Sequence, residues 1–439
     1  MGARDDGAVT RWLKQTTPTW FATFAIAAAF SAYFCMYGFR KPFTVGAWEG
    51  SLELPGGGEI ELKIALIIAQ VLGYCLSKFL GIKVISEMSG GRRGLAILAL
   101  ITVAELALVG FALTPAPYSV AWLFVNGLPL GMIWGLVFGY LEGRRLSEIL
   151  GAGLSASYIV ASGFVKTVGR WLLDAGIPEP WMPATTGVLF LPVLLLAVWM
   201  LTQLPAPSAE DELLRTRREP MDGPTRGRFF ARFAPGLLLL TGLYVLLTAF
   251  RDFRDNFGPD IWDALGYAET PSVMTTAELP IAFGVLVVLA SIMTIRDNRR
   301  ALLAVHAIMA AGALLIVGST AAWQVGLLGP AAWMILVGLG LYIGYVPFGC
   351  VLFDRLIAAV GFVGTAGFMI YVTDAFGYVG SVGLLLYKNF GQANLSWLEF
   401  FVGASYVTGA VSFVCFAGAL LYFARKTPVD LKPQLGPHE

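Results

Sequence analysis

The sequence predicts an all-α membrane protein in which twelve spanning helices form two six-helix bundles. Of its 439 residues, 57% are hydrophobic and 13% are charged, whereas soluble domains carry about 25% charged residues. The apolar residues are grouped in runs of the length that an α-helix needs to cross a hydrocarbon core about 30 Å thick. A weak internal repeat also relates the two halves of the chain. These three observations together carry the prediction.

Six apolar runs precede residue 205 and six follow residue 234. The first six are predicted at Trp20–Arg40, Lys63–Ile82, Gly94–Thr114, Val120–Gly143, Ile149–Leu173 and Met182–Leu204. The second six are predicted at Pro235–Phe257, Pro271–Ile295, Arg299–Ala321, Leu327–Phe353, Gly361–Lys388 and Trp397–Arg425. The first run lacks the short apolar region and the small-residue cleavage site of a secretory signal peptide, so we expect it to be the first span.

The segment Pro205–Ala234 separates the two sets of spans. It contains four prolines and clustered charges but no apolar run, which predicts a solvated linker with a short surface helix at Glu210–Arg218. We therefore expect three parts: residues 1–204 as the N-terminal bundle, 205–234 as a cytoplasmic linker, and 235–439 as the C-terminal bundle.

Lysine and arginine fall mainly on one side of the predicted membrane. The two termini, the linker and the loops on the same side hold 21 of the 30 basic residues, and the opposite loops hold three. Basic residues favour the cytoplasmic side. We therefore expect both termini to be cytoplasmic, in the inner membrane of a bacterium.

The internal repeat relates the first span to the seventh. Tyr33–Arg40 matches Tyr244–Arg251 at an offset of 211 residues, and Phe39–Phe43 matches Phe253–Phe257 at an offset of 214. An insertion of three residues in the second half explains both offsets. A further match at 211 joins the fourth and tenth spans. Two halves of the same orientation, related by an axis along the membrane normal, resemble the arrangement of the major facilitator transporters.

Charged side chains inside a membrane are costly, so each is a hypothesis about function. The predicted spans contain Arg40, Lys78, Glu105, Lys166, Arg170, Arg251, Arg254, Glu278 and Asp374. Arg40 and Arg251 occupy equivalent positions of the repeat, so we expect them to face each other across a central cavity. Arg254 is the rival to Arg251.

Hydroxyl groups accompany both arginines at helical spacing. Tyr33 and Tyr37 share a helix face with Arg40, and Tyr244 shares one with Arg251. Guanidinium forks beside hydroxyl groups suit an anion such as phosphate or carboxylate. The alternative is that both arginines extend to the membrane interface or pair with acids nearby in the chain.

Lys166 lies deep inside the fifth span, where a lipid-facing ammonium group would be expensive. We expect it to face the cavity, with a role in binding substrate, or to pair with Glu278 or Asp374. Those two acids are also the candidates for a proton-coupling carboxylate. Structural salt bridges are the alternative for all three.

Several classes of function are disfavoured. The net charge of +1 suggests no nucleic-acid partner, and the four cysteines form no Cys-x-x-Cys pair that would indicate a metal site. No phosphate-binding loop or hydrolase motif is present. We expect no cofactor, no metal and no enzymatic activity, and a monomer in the lipid bilayer.

Residues Tyr37–Phe43 resemble the end of helix 1 in the organophosphate:phosphate antiporters, a major facilitator family. That resemblance implies that phosphate binds between an arginine of helix 1, matched by Arg40, and one of helix 7. Arg251 matches the second because Pro259 follows it by eight residues, as a proline does in that family. The family has asparagine at the position of Pro42. The same segment more closely resembles a bacterial family of major-facilitator-like proteins known only as a domain of unknown function.

These features together predict a secondary transporter that moves a small anionic solute, phosphorylated or carboxylated, by exchange or proton coupling. Two alternatives remain. Receptor-like members of the antiporter family make a membrane sensor possible, and transport of a neutral solute would leave the arginines with structural roles.

The charge bias predicts which loops an impermeant thiol reagent reaches. In a cysteine-free background, cysteine at Ser51 should be labelled from outside sealed cells, while cysteine at Ser208 should be labelled only after the membrane is opened. Labelling of both sites in sealed cells would contradict the orientation.

Overall fold

A computed structural model describes residues 7–53, 58–88, 90–144, 146–208, 211, 223–361 and 366–427. Eleven helices in this part of the chain are long and apolar enough to span a membrane. The remaining predicted span contains a helix of 21 residues, Ala366–Leu386, which is about 32 Å long at ~1.5 Å per residue. The all-α membrane fold predicted from the sequence is therefore confirmed.

The first half contains α1 to α6. Their bounds are Pro18–Met36 (α1), Leu62–Glu87 (α2), Arg93–Leu113 (α3), Val120–Leu130 (α4), Ser147–Asp174 (α5) and Met182–Thr202 (α6). A short helix, Ile133–Phe138, continues α4 after Pro129 interrupts it. The helix Ala8–Gln15 precedes α1, and an antiparallel hairpin pairs Ser51–Glu53 with Glu59–Glu61.

The second half contains α7 to α12. Their bounds are Gly223–Asn256 (α7), Glu278–Met293 (α8), Asn298–Gln324 (α9), Pro330–Cys350 (α10), Ala366–Leu386 (α11) and Trp397–Lys426 (α12). Three short helices connect them: Gly258–Ala264, Val273–Thr276 and Leu352–Val360.

Helix α7 begins twelve residues earlier than the sequence predicted, inside the expected linker. Phe229 and Phe233 are buried and contact each other at 5.2 Å between ring centroids. Arginines alternate with these aromatic residues, so no continuous apolar run marks the start of the helix. The surface helix expected at residues 210–218 lies, apart from Asp211, outside the described residues.

Most contacts between helices stay within one half of the chain. Helix α2 packs on α4, α1 on α5 and α6, α7 on α11 and α12, and α9 on α10 and α12. Contacts between the halves join α2 to α11, and α5 to α8, α10 and the Val273–Thr276 helix. The end of the bundle that carries the hairpin is called the hairpin end below, and the opposite end is called the linker end.

Glycines permit the closest of these contacts. A Cβ atom at Gly127 of α4 would lie 2.2 Å from the carbonyl oxygen of Gln70, so this glycine lets α2 and α4 approach closely. Between the halves, a Cβ atom at Gly163 of α5 would lie 1.8 Å from the carbonyl oxygen of Met274. Backbone therefore lies directly against backbone at both places.

We predict that Gly127→Ala lowers the thermal unfolding temperature of the purified protein. Alanine favours a helix by about 1 kcal/mol over glycine, but overpacking against a fixed backbone oxygen costs about 1–3 kcal/mol. Gly318→Ala is the matched control, because no atom lies within 4 Å of its added Cβ. Equal unfolding temperatures for the two variants would show that α2 and α4 do not meet as described.

Candidate functional site

Helix α1 ends in a buried turn that carries two cationic residues. The regular helix stops at Met36, a 3₁₀ turn follows at Tyr37–Phe39, and Pro42 begins the next one. Proline has no backbone N–H, and its ring clashes with the carbonyl group four residues earlier in an α-helix, so a regular helix cannot continue through Pro42. We refer to residues 37–41 as the helix-1 turn. Its Arg40 and Lys41 are 2% and 1% exposed.

Two amides from other helices hold this turn in place. Nε2 of Gln70 donates to the carbonyl oxygen of Arg40 at 2.8 Å, and Nδ2 of Asn126 donates to that of Phe39 at 3.0 Å. The two side chains also bond to each other at 2.8 Å. Buried backbone carbonyl groups need such donors, so α2 and α4 fix the position of Arg40.

A small cavity of about 50 Å³ lies between the two halves. We call it the tyrosine cavity, because seven of its lining residues are tyrosines. It is lined by Tyr33, Tyr37, Tyr74, Lys78, Trp134, Ser155, Tyr158, Tyr244, Arg251, Tyr345, Gly349, Ile370, Asp374 and Tyr378. Five of them were predicted from the sequence to bind substrate or to couple transport: Tyr33, Tyr37, Tyr244, Arg251 and Asp374. The volume suffices for a few water molecules, so the cavity is closed around its polar groups.

Arg251 lines the tyrosine cavity and is fully engaged. Nη1 donates to the hydroxyl of Tyr345 at 2.5 Å, and Nη2 donates to Tyr378 at 3.1 Å. Nη2 also forms an ion pair with Asp252 at 2.7 Å. Arg251 thus lines the cavity, as expected, and also pairs with the neighbouring acid Asp252, as the alternative interpretation proposed.

Arg40 lies beside the cavity rather than in its lining. Its guanidinium carbon is 3.8 Å from the ring centroid of Tyr74, which does line the cavity. Both arginines approach Tyr378, Arg40 at 5.9 Å and Arg251 at 5.7 Å from its ring centroid. The two cations therefore flank one tyrosine. No described carboxylate forms an ion pair with Arg40, and its buried Nε has no hydrogen-bond partner among the described residues.

Asp374 joins the two halves toward the linker end. Its Oδ2 lies 2.8 Å from Nζ of Lys78, so an ion pair crosses from α11 to α2. The hydroxyl of Tyr244 lies 3.1 Å from its Oδ1. The sequence offered Asp374 as a partner of Lys166, and this is wrong because Asp374 pairs with Lys78 while Lys166 pairs with Asp255.

Asp255 joins the halves toward the hairpin end and accepts two lysines. Nζ of Lys41 lies 2.6 Å from one carboxylate oxygen and Nζ of Lys166 lies 2.7 Å from the other. Lys166 and Ser162 also make very short hydrogen bonds to Asp255, and Lys41 donates to Asn256 at 2.7 Å. Lys166 does pair with a carboxylate, as predicted, but its partner is at the end of α7.

Arg254 and Glu278 pair with each other at 2.8 Å, within the second half. The expected pairing of Glu278 with Lys166 is therefore wrong, because Arg254 holds the carboxylate. Arg254 also donates to the carbonyl oxygen of Met334 at 3.3 Å. Arg254, Glu278, Lys166 and Asp255 line a second cavity of about 20 Å³. Of the two rival arginines, Arg251 lines the tyrosine cavity and Arg254 lines the second cavity.

Further ion pairs close both ends of the bundle. At the hairpin end, Lys63 pairs with Asp260 at 2.7 Å and Arg170 pairs with Asp263 at 3.1 Å. At the linker end, Arg355 pairs with Glu148 at 3.1 Å. The first half supplies the cations at the hairpin end, and the second half supplies the cation at the linker end.

Sequence reasoning missed several residues of this site. Tyr74 and Tyr378 lie between the arginines, and Lys41 and Asp255 seal the cavity on one side. Lys41 and Asp255 occupy equivalent positions at the offset of 214 residues, and residues that a twofold axis relates can touch only at that axis. The repeat therefore contained the signal for this pair.

Two comparisons place the chain among known proteins. The fold is that of the major facilitator membrane proteins, because a solved structure titled "Crystal structure of D-xylose-proton symporter" matches with a TM-score of 0.60. The match covers 93% of this chain and 97% of that chain at 12% sequence identity, so the likeness concerns the fold. A family model described as "Family of unknown function (DUF5690)" matches residues 42–426, and the chain belongs to that family. A search of curated proteins finds no match.

These comparisons bear on the resemblances seen in the sequence. The major facilitator fold is confirmed, and a family of unknown function is the one that matches. Neither comparison links the chain to the organophosphate:phosphate antiporters.

We predict that Asp255→Asn destabilises the protein far more than Asp263→Asn does. The first variant leaves two buried ammonium groups without their carboxylate, and breaking a buried pair costs about 3–5 kcal/mol. The second variant breaks a pair whose side chains are 25% and 40% exposed, and such surface pairs contribute about 0–1 kcal/mol. Thermal unfolding of both variants in the same detergent measures the difference. Similar unfolding temperatures would mean that the two lysines do not depend on Asp255.

Proposed function

We propose that this protein is a secondary transporter that moves a small anion of about two negative charges between its two halves. The observation that carries the proposal is an excess of buried positive charge around the two cavities. Transport would follow from alternating opening of the two ends of the bundle, which is how proteins of this fold work.

Six cations lie around the cavities against four carboxylates in the described residues. The cations are Arg40, Lys41, Lys78, Lys166, Arg251 and Arg254, and the carboxylates are Asp252, Asp255, Glu278 and Asp374. Asp255 serves two lysines, and Arg40 has no carboxylate of its own. Buried charges without counter-charges are expensive, so an anion that enters the site would supply the missing two charges.

The geometry of the arginines favours oxygen anions. A guanidinium presents a rigid fork of donors that matches phosphate or carboxylate oxygens. Arg251 already spans two tyrosine hydroxyls and one carboxylate oxygen, which are stand-ins for the oxygens of such a ligand. Arg40 lies on the other side of Tyr378, so a shift of that ring would expose both cations to one solute. A phosphorylated metabolite is also the form of substrate that the resemblance of Tyr37–Phe43 to the organophosphate:phosphate antiporters implies.

The ion pairs suggest how opening and binding are linked. The tyrosine cavity is too small for a metabolite, so the halves must separate before a solute enters. Separation at the linker end breaks Lys78–Asp374, and separation at the hairpin end breaks the pairs of Lys41 and Lys166 with Asp255. Asp374 is therefore the better coupling candidate, because Glu278 pairs within one half. Exchange and proton coupling both fit this cycle.

The proposal includes the arrangement in the cell. Residues 1–204 and 235–439 are the two moving halves, and the chain acts as a monomer in a bacterial inner membrane. The linker end and both termini face the cytoplasm. A neutral solute is the competing substrate, since seven tyrosines could also bind a sugar through their rings and hydroxyls. In that case the arginines would have structural roles.

The test is counterflow uptake into proteoliposomes with inorganic phosphate, a sugar phosphate, a dicarboxylate and D-xylose as separate solutes. We expect exchange of at least one dianion, and a 10- to 150-fold loss of apparent affinity in Arg40→Lys and Arg251→Lys. Loss of a charged hydrogen bond in a buried site costs about 1.5–3 kcal/mol, and the lysine ammonium group keeps the charge without the fork.

Arg170→Lys is the matched control, because its guanidinium pairs with Asp263 at the exposed hairpin end. It should bind as the unmodified protein does. If the protein exchanges D-xylose alone, and Arg40→Lys and Arg251→Lys do so with normal affinity, the substrate is a neutral solute and not an anion. A folded protein that exchanges none of the four would count against small-solute transport of these classes.

A further inference from the structure

Glu105 is a carboxyl group inside the membrane that none of the ion pairs described above uses. It lies twelve residues after the start of α3, about 18 Å along the helix, and so near the middle of the span. Both of its carboxyl oxygens are buried, and neither has a hydrogen-bond partner among the described residues. Every other buried carboxylate discussed above is paired with a cation.

The surroundings of Glu105 offer it no charge. Helices α4 and α6 and the Ile133–Phe138 helix contain no charged residue. The titratable groups on the remaining elements that contact α3 are Tyr37 in the helix-1 turn, Glu179 near the hairpin end and Arg92 near the linker end. On α3 itself the other charged residue is Arg93, at the start of the helix. Glu179 accepts from the backbone N–H groups of Ala47 and Trp48. An ionised carboxylate without donors is strongly disfavoured in such a place, so the group holds a proton in this conformation.

The carboxyl group of Glu105 lies close to the helix-1 turn, which carries Arg40. A Cβ atom at Gly187 of α6 would lie 2.3 Å from Oε2 of Glu105 and 2.9 Å from the ring of Phe39. Gly187 therefore leaves the space in which the carboxyl group and the phenyl ring both fit. Phe39 immediately precedes Arg40 and Lys41. Its carbonyl oxygen and that of Ala104, next to Glu105, accept from the same amide of Asn126.

We infer that Glu105 is a proton-binding site, and that its proton keeps the helix-1 turn in the position that closes the hairpin end. When the proton leaves, a bare negative charge lies against the Phe39 ring. The turn must then move until water or the Arg40 guanidinium reaches the carboxylate. Lys41 moves with the turn, so its contacts with Asp255 and Asn256 break and the hairpin end opens. The proton on Glu105 thus acts through Phe39, Arg40 and Lys41 on the contacts of Lys41 at the hairpin end, which we call the gate.

This inference rests on the proposed function only in that opening serves transport, and its test needs no substrate. The first measurement is labelling of the full chain in liposomes with dicyclohexylcarbodiimide, which dissolves in the membrane and reacts with protonated carboxyl groups. Mass spectrometry of the peptides should find the label on Glu105 at low pH and less of it as the pH rises. Glu278, which is paired with Arg254, is the internal control and should stay unlabelled.

A second measurement covers the case in which the reagent does not reach the site. Infrared difference spectra between low and high pH should show the carbonyl band of a protonated carboxyl group, and Glu105→Gln should remove it. The glutamine variant keeps the shape of the protonated side chain, so it should fold. Spectra of the two proteins that show the same band, together with the absence of label on Glu105, would overturn the proton site.

The link to the gate is measured by electron–electron distances between spin labels at Ser51 and Asn394, which are exposed on the two halves at the hairpin end. In a cysteine-free background the distance should lengthen as the pH rises. In Glu105→Gln it should stay at its low-pH value throughout. If the distance changes with pH in the same way with Glu105 and with Glu105→Gln, Glu105 does not control the gate. Failure of this test with successful anion exchange would leave the transport proposal intact.

Discussion

The shared carboxylate of Asp255 is the contact on which the arrangement of the site depends. It pairs with Lys41 of the helix-1 turn and with Lys166 of α5. Because Asp255 is at the end of α7, these pairs hold the first half against the second. Two ammonium groups on one carboxylate leave a net positive charge in a place from which water is largely excluded. This charge is tolerable only if the groups are tightly held. Lys41 also donates to Asn256, Lys166 also donates to the backbone carbonyl of Asp255, and Ser162 donates to the Asp255 carboxylate.

Tyrosine rings separate the remaining cations from one another. Tyr74 lies under Arg40, Tyr345 lies under Arg251, and Tyr378 lies between the two guanidinium groups. The negative face of an aromatic ring attracts a cation without neutralising it. Arg251 is also paired with Asp252, whereas Arg40 forms no ion pair with a described carboxylate and keeps its charge. Under the proposed function, this charge of Arg40 is available to an anion.

The sequence predicted the fold well because a membrane imposes a simple length rule on apolar runs. The weaker points were local. The start of α7 was missed because Phe229 and Phe233 are interleaved with arginines. The partners of Lys166, Glu278 and Asp374 were wrong because ion pairing depends on helix rotation and depth, which spacing along one helix does not determine. Asn126 and Gln70 position the helix-1 turn, yet a single amide inside an apolar run gives no sign of what it holds.

The ion pairs that cross between the halves are unequal in number at the two ends of the bundle. Among the described residues, the ion pairs of Lys41, Lys166, Lys63 and Arg170 bridge the halves at the hairpin end, and those of Lys78 and Arg355 do so toward the linker end. Opening the hairpin end therefore breaks more of the described ion pairs than opening the linker end does. Salt screens exposed ion pairs, such as Arg170–Asp263, more than buried ones. Ionic strength therefore changes the relative cost of opening the two ends.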